Sequence, residues 1–182
     1  MDQYYDQMFS IPFFHIRVDK WDYKKNELMK LLEQSDLEKN IDHHTDYHKQ
    51  VREEWKNSNI KVISSILEDE LISFSKYFSF SSIAIKSSWF EVSKKYEFHG
   101  AHSHGSTGYV AVCYLQYNIE EHKPLVFISP FKNFINGFDL HYEPKNLNEG
   151  SIIFFPSSIM HQTRINNSNL DRIVVTLNLD VF

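Results

Sequence analysis

The chain has 182 residues, of which 42% are hydrophobic and 15% aromatic, with only five glycines and five prolines. This length and composition exclude global disorder, collagen-like sequence and low-complexity repeats, and they predict one domain that folds without a disulfide. The net charge of −5, with acidic and basic residues interspersed along the chain, argues against a nucleic-acid partner.

The cysteine content and the start of the chain bear on location. Cys113 is the single cysteine, so the chain has no internal disulfide and no cysteine-based zinc cluster, which suits a reducing compartment. Residues 1–14 carry acidic residues where a signal peptide needs basic ones, and no apolar run reaches the roughly 20 residues of a membrane span. We therefore expect a cytoplasmic protein without a membrane partner.

The first half of the chain has helical periodicity. Residues 12–18 form a short β-like run, and residues 21–34 carry apolar side chains at helical spacing. Residues 40–55 are polar and charged, and we expect their histidines, His43, His44 and His48, to lie in a solvated loop. Apolar residues at three- and four-residue steps then predict an amphipathic helix over residues 60–78, which supports a sheet.

From residue 82 the hydrophobic period changes to two. Strand-like runs cover the region from Ile83 to Phe90 and then residues 109–117, 124–128, 151–155, 159–165 and 173–179, with turn residues between them. Short strands with helices collected at the front predict a mainly β fold, a sandwich or barrel with N-terminal helices. We assign residues 1–80 to a helical support region and residues 81–182 to the β core of a single domain, residues 1–182.

The first candidate chemistry is a pair of histidines. His102 and His104 precede the strand that starts near Tyr109, and in an extended segment residues i and i+2 project to the same side. Imidazoles suit Fe(II), zinc and copper, so the two rings are candidates for adjacent coordination positions. A solvated loop is the alternative reading of the same spacing.

His161 and Arg172 are further candidates from distant segments. His161 follows an apolar strand, where an unpaired buried histidine is costly, so it is a candidate third ligand or a hydrogen-bonded core residue. Arg172 opens an apolar strand and shares one face with Val174, Thr176 and Asn178. The guanidinium either reaches solvent at the strand end or faces the interior, where it needs an anionic partner such as a carboxylate.

These residues together resemble a known family. The succession of His102-Ser-His104, the strand from Tyr109 to Leu115, the segment from Gly150 to Ser157, His161 and the strand from Arg172 to Asn178 is similar to the 2-oxoglutarate- and Fe(II)-dependent oxygenases often carried by marine phages and bacteria. The resemblance covers roughly residues 83–182. It implies a double-stranded β-helix, the cupin-like jelly roll, in agreement with the strand-rich second half.

The resemblance also implies roles for individual residues. His102 and His161 are expected to bind iron, and Arg172 is expected to bind the distal carboxylate of 2-oxoglutarate. His104 stands where the wider superfamily has a carboxylate, so the third iron position is either His104 or water. Val174 replaces a favoured serine, which removes one hydroxyl contact to the co-substrate.

An iron held by three protein ligands leaves three positions, two for the keto acid and one for O2. We therefore expect a dioxygenase that hydroxylates an unidentified small molecule or polypeptide and releases succinate and CO2. Tyr114, Asn178 and Trp89 are candidate pocket residues, with Tyr114 and Trp89 expected on neighbouring strands, although aromatic side chains also suit a core. His99 is a candidate neighbour of the site.

Two other classes of function also agree with the sequence. A cupin-like enzyme with three histidines would not use 2-oxoglutarate, and Arg172 would then be dispensable for cofactor binding. A non-catalytic jelly-roll binding module would not depend on metal at all. Neither the oligomeric state nor the prime substrate follows from the sequence.

Overall fold

The computed structural model describes residues 9–48 and 53–182, and for residues 53–58 it describes the backbone alone. Residues 1–8 of the N-terminal segment and residues 49–52 of the polar stretch, on both of which we stated expectations above, lie outside this description. Within the described residues no helix is long and apolar enough to cross a membrane.

Ten strands and three helices make up the described fold. The strands are β1 (Phe14–Arg17), β2 (Glu38–Lys39), β3 (His44–Thr45), β4 (Ile83–Ser93), β5 (Tyr109–Gln116), β6 (Val126–Lys132), β7 (Asp139–Tyr142), β8 (Ser151–Pro156), β9 (His161–Gln162) and β10 (Arg172–Val181). The helices are α1 (Trp21–Gln34), α2 (Glu53–Ile66) and α3 (Glu68–Phe78).

The strands form two antiparallel sheets. The larger sheet has the order β1-β8-β5-β10-β4-β3-β2, and the smaller has the order β7-β6-β9. An isolated bridge pairs His102 with His161 at the mouth between them. The predicted double-stranded β-helix is confirmed, with the larger sheet carrying the helices.

Alternation along the strands separates two cores. Ile173, Val175, Leu177 and Leu179 of β10 pack with the helices on the outer face of the larger sheet. Val174 of the same strand packs in the second core, with Tyr114 of β5 and Phe127 of β6. The face assignment predicted for residues 172–179 is therefore confirmed, because side chains alternate along a strand.

The predicted helix over residues 60–78 is two helices. It breaks at Leu67, a fully buried residue with φ −102° and ψ 19°. Three acidic residues, Glu68, Asp69 and Glu70, follow in the first turn of α3, where they favour a new helix N-terminus. Glu70 also accepts hydrogen bonds from the Lys24 ammonium of α1 at 2.8 and 3.0 Å, which ties the two helices together.

The histidine-rich segment does not form the expected solvated loop. His43 is 2% exposed and Thr45 5%, because β3 adds to the edge of the larger sheet and pairs with Val92 and Glu91 of β4. The Asp46 carboxylate accepts the backbone N–H of Phe90 at 2.8 Å, which fixes the same edge. The polar side chains of this segment therefore form hydrogen bonds inside the fold.

The boundaries of the smaller sheet differ from the predicted runs. β6 extends to Lys132 and pairs with β7, for which the sequence carried no prediction, while β9 shrinks to two residues of the predicted 159–165 run. The reason is that β7 is only four residues long, exposed at every position and without the β-branched residues on which strand prediction depends.

Candidate functional site

Backbone hydrogen bonds bring the three predicted histidine ligands together. The amide of His102 donates to the His161 carbonyl at 3.0 Å, and the amide of His161 donates to the His102 carbonyl at 2.9 Å. The amide of His104 donates to the Ser157 carbonyl at 2.9 Å. The connection between β4 and β5 is thus held against the segment that leads into β9.

The three rings converge on one point. A ring nitrogen of each of His102, His104 and His161 lies within 4.8 Å of one from each of the others. The ring centroids are 4.4 Å apart for His102 and His161, 5.0 Å for His104 and His161, and 5.1 Å for His102 and His104. This spacing allows all three imidazoles to reach one metal ion.

Hydrogen bonds at Nδ1 orient each of these rings. His102 Nδ1 lies 2.8 Å from the Gly100 carbonyl, and His161 Nδ1 lies 3.0 Å from the Ile159 carbonyl. A carbonyl oxygen only accepts, so these Nδ1 atoms carry the proton and their Nε2 atoms keep a lone pair for a metal. His104 Nδ1 pairs in the same way with Asn178 Oδ1 at 2.8 Å, and its buried Nε2 has no hydrogen-bond partner.

The environment favours the neutral form of all three imidazoles. Burial, reinforced by neighbouring histidines, lowers the pKa of His102 to about 4 and that of His161 to about 3. Burial also lowers the pKa of His104 below its ordinary value. Metal binding needs deprotonated imidazoles, so the donor set is ready for a metal ion near neutral pH.

Arg172 faces the interior from the first position of β10. It is 4% exposed, and its Nε and Nη1 atoms have no hydrogen-bond partner among the described residues. It lines one small cavity together with His102, His104 and His161. The sequence left open whether the Arg172 guanidinium reaches solvent or faces the interior. The structure supports the interior position, where the guanidinium needs an anionic partner.

Tyr114 on β5 lines the same cavity. Its side chain is fully buried, and its hydroxyl has no partner among the described residues. Burial raises the pKa of Tyr114 well above its ordinary value, so the hydroxyl stays protonated and is available as a donor. Tyr114 and Arg172 together offer unpaired donors to one anionic group.

Asn178 lies at the other end of β10 from Arg172. Its Oδ1 pairs with His104, and its Nδ2 donates to Ser87 Oγ at 2.9 Å. It lines the outer cavity described below and is not among the residues that line the cavity at Arg172. Asn178, predicted from the sequence as a pocket residue that binds the cofactor, thus lines the outer cavity, and its Oδ1 holds the His104 ring.

A second cavity of about 310 Å³, the outer cavity, is lined by His102 and His104 and not by Arg172. Trp89 stacks on His104 with ring centroids 5.4 Å apart, and Tyr47 meets Trp89 edge-on at 5.1 Å. Trp89 and Tyr114 are not on neighbouring strands as expected, because β10 lies between β4 and β5. The lining residues are Asn40, His43, Thr45, Tyr47, Trp89, His99, His102, Ser103, His104 and Asn178.

The sequence did not predict a second polar cluster beside the three histidines. His99 Nδ1 lies 3.1 Å from Glu91 Oε2, and the His99 ring stacks on His102 at 3.8 Å and on His43 at 4.1 Å. Trp89 Nε1 donates to Glu91 Oε1 at 2.8 Å. The feature of the sequence that could have indicated this cluster is Glu91, an acidic residue on the same face of β4 as Trp89.

Charges within this cluster compensate for its burial. Burial by itself would raise the pKa of Glu91, but the hydrogen bond and charge of His99, with His43 and Trp89, hold it far below its ordinary value. Burial would lower the pKa of His99, but the hydrogen bond and charge of Glu91, with the charge of Asp42, raise it. The cluster is therefore strongly polar although it lies inside the fold.

Comparison with known proteins identifies this arrangement. Residues 87–178, half of the chain, match the family model described as "Putative 2OG-Fe(II) oxygenase", and this range holds the three histidines, Arg172 and Tyr114. No curated protein matches the sequence.

Several solved structures share the fold. An oxidoreductase of the 2OG-Fe(II) oxygenase family from Burkholderia pseudomallei is 12% identical, with a TM-score of 0.62 over 91% of this chain and 84% of that one. HygX from Streptomyces hygroscopicus, solved with nickel, 2-oxoglutarate and hygromycin B, is 13% identical, with a TM-score of 0.62 over 93% and 82%. The viral collagen prolyl hydroxylase of Paramecium Bursaria Chlorella virus-1 is 13% identical, with a TM-score of 0.57 over 92% and 94%.

The chain belongs to the family of 2-oxoglutarate- and Fe(II)-dependent oxygenases and is an oxidoreductase whose cofactors are Fe(II) and 2-oxoglutarate.

Proposed function

We propose that His102, His104 and His161 hold the iron, that Arg172 and Tyr114 bind the distal carboxylate of 2-oxoglutarate, and that the enzyme hydroxylates its substrate. The observation that carries this proposal is the buried Arg172 guanidinium, whose Nε and Nη1 lack partners in the cavity that the three histidines line. A buried, unpaired cation is costly, and a carboxylate ligand removes that cost.

The residues fit the two cofactors by their chemistry. Three oriented imidazoles are a suitable donor set for Fe(II), and Arg172 with Tyr114 supplies donors for a carboxylate. Bound together, Fe(II) and 2-oxoglutarate supply the activation of O2, and 2-oxoglutarate leaves as succinate and CO2. The protein orients the cofactors and the bond to be oxidised.

His104 is part of the proposed ligand set in place of the carboxylate found elsewhere in the superfamily. Its buried Nε2 lacks a partner, and Asn178 holds its Nδ1. The alternative is water in the third position. The variant His104→Ala separates the two, because retained iron and turnover would assign that position to water.

The outer cavity is the proposed entry for the prime substrate. His102 and His104 line it and Arg172 does not, and Trp89 and Tyr47 form an aromatic wall beside His104. Its volume of about 310 Å³ admits a small molecule or one side chain of a polypeptide. Cys113, a free and fully buried thiol, is compatible with the cytoplasmic location that forms part of this proposal.

An anaerobic titration tests the proposal. Fe(II)-loaded protein is titrated with 2-oxoglutarate, and the visible metal-to-ligand charge-transfer band of the bidentate chelate is recorded. We expect a saturable band in the wild type and none in Arg172→Ala at the same concentrations. Arg164→Gln is the matched control, because Arg164 is 52% exposed and ion-paired with Glu143 on the surface.

Three other outcomes of this titration would contradict the proposal. Iron binding without a band in the wild type would favour the cupin-like enzyme that does not use 2-oxoglutarate. A band that persists in Arg172→Ala would remove Arg172 from the co-substrate site. Absence of iron binding would favour the non-catalytic binding module.

A further inference from the structure

A second group of potential metal ligands lies between the two cavities: His43 and His99 line the outer cavity, and Glu91 and His99 line the small cavity at Arg172. His43 precedes β3, Glu91 is on β4 and His99 is in the connection between β4 and β5. One ligand atom of each lies within 4.8 Å of one from each of the others. His43 is 2% exposed and Glu91 6%, so the group is formed by the fold and not by mobile surface side chains.

The donor types and their spacing suit a transition metal. Two imidazoles and one carboxylate form a donor set that binds divalent metals of the first row. Two ligands on adjacent positions, each about 2.1 Å from the metal, lie roughly 3.0 Å apart at a right angle. His99 Nδ1 and Glu91 Oε2 are 3.1 Å apart and joined by a hydrogen bond, so a metal ion that replaces this hydrogen bond would find the two atoms at the separation of adjacent ligands.

Further hydrogen bonds orient these donors from outside the cluster. His43 Nδ1 pairs with Asp42 Oδ1 at 2.6 Å, and the Gly100 amide donates to Asp42 Oδ2 at 3.1 Å. A carboxylate behind a histidine is the usual outer partner of a metal-bound imidazole, and it leaves Nε2 as the lone-pair atom. The other oxygen of Glu91 accepts from Trp89 Nε1, which fixes the carboxylate plane.

The charges of the cluster also favour a cation. The recorded ion-pair partners of Asp42 and Glu91 are the imidazoles of His43 and His99. A divalent cation bound between His43, Glu91 and His99 would lie close to both carboxylates and offset their charge.

We propose that His43, Glu91 and His99 form a second divalent-cation site, beside the site of His102, His104 and His161. The cation would be of the first-row transition series, and it would join the segment before β3 to β4 and to the loop that carries His102 and His104. His43 lies outside residues 87–178, the range of the family model, so this site depends on a part of the chain that the family match does not cover.

Counting bound metal tests this proposal. Protein stripped with a chelator is titrated with Co(II) under anaerobic conditions, desalted and analysed for cobalt per chain. We expect two equivalents in the wild type, one in Glu91→Gln, one in His161→Ala and none in the double variant. His141→Gln is the control, because His141 is on the exposed strand β7 and its loss should leave two equivalents.

Each remaining outcome decides between the sites. One equivalent in the wild type that survives in Glu91→Gln and is lost in His161→Ala would overturn the second site and keep the proposed iron site. One equivalent that is lost in Glu91→Gln and survives in His161→Ala would support the second site and contradict the proposed iron ligands. If Glu91→Gln does not fold, His43→Gln takes its place, and two equivalents in that folded variant would also overturn the proposal.

Discussion

Two buried cations on opposite faces of the larger sheet have opposite surroundings. Lys24, on the helix side, is 6% exposed and contacts the Glu70 carboxylate at 2.8 and 3.0 Å. Arg172, on the inner side, is 4% exposed, and its Nε and Nη1 have no partner among the described residues. A buried charge that the chain itself neutralises needs no ligand, whereas one that the chain leaves unpaired indicates a ligand.

The same contrast holds for the polar groups around these cations. On the helix side, the backbone amide of Asp19 also donates to Glu70, so that carboxylate is surrounded by donors. On the inner side, His104 Nε2 and the Tyr114 hydroxyl lack partners, as Arg172 does. The Lys24–Glu70 pair is therefore satisfied without a ligand, whereas the cavity at Arg172 holds buried polar atoms that a ligand would satisfy.

The largest expected effect is on the inner face, at His161. His161→Ala should abolish iron retention, because it removes an oriented donor whose Nδ1 is fixed by the Ile159 carbonyl. Iron per chain after anaerobic loading and desalting is the measurement, and circular dichroism checks the fold. An unchanged iron content would remove His161 from the ligand set.

The next effect is on the helix side, at Lys24. Lys24→Met should lower the free energy of unfolding by about 3–5 kcal/mol, because it leaves the Glu70 carboxylate buried without its ammonium partner. Urea denaturation of the apoprotein measures this. The double variant Lys24→Met/Glu70→Leu should recover most of the loss, since it removes both charges; failure to recover would mean that packing and not charge explains the single variant.

Substitution of Arg172 should change the stability of the apoprotein in the opposite direction to substitution of Lys24. Arg172→Met should leave the stability of the apoprotein unchanged or higher, because it removes an unpaired buried charge, and it should weaken 2-oxoglutarate binding by about 2–5 kcal/mol. Urea denaturation and the charge-transfer titration give the two values. A large loss of apoprotein stability would show that Arg172 is neutralised inside the fold, as Lys24 is.

The smallest expected effect is at Asn178. Asn178→Ala removes the acceptor that orients His104 Nδ1, so we expect a 10–100-fold loss of iron affinity with iron still bound at saturation. Competition with a calibrated chelator measures the affinity. Asn178→Asp keeps an acceptor at this position and should lose less; equal losses in both variants would contradict the orienting role.

The sequence predicted much of the site because the relevant signals are local. Helix α1 has the predicted boundaries, and the alternation in β10 correctly put Arg172 and Val174 on one face, which the structure shows to be the inner face. The spacing of His102 and His104 correctly indicated that both rings can face one point. Periodicity determines the direction of a side chain, so a face can be read from neighbouring residues.

What only the tertiary structure decided depends on long-range pairing. The addition of β3 to β4 buries His43 and brings it against His99, although the local sequence is polar. The bridge between His102 and His161 and the break at Leu67 likewise depend on which segments meet. By itself the sequence determined helix α1, the faces of β10 and the pairing of His102 with His104, since each follows from local spacing. Which distant side chains share a cavity, and which buried charges lack a partner, is decided by the sheet register.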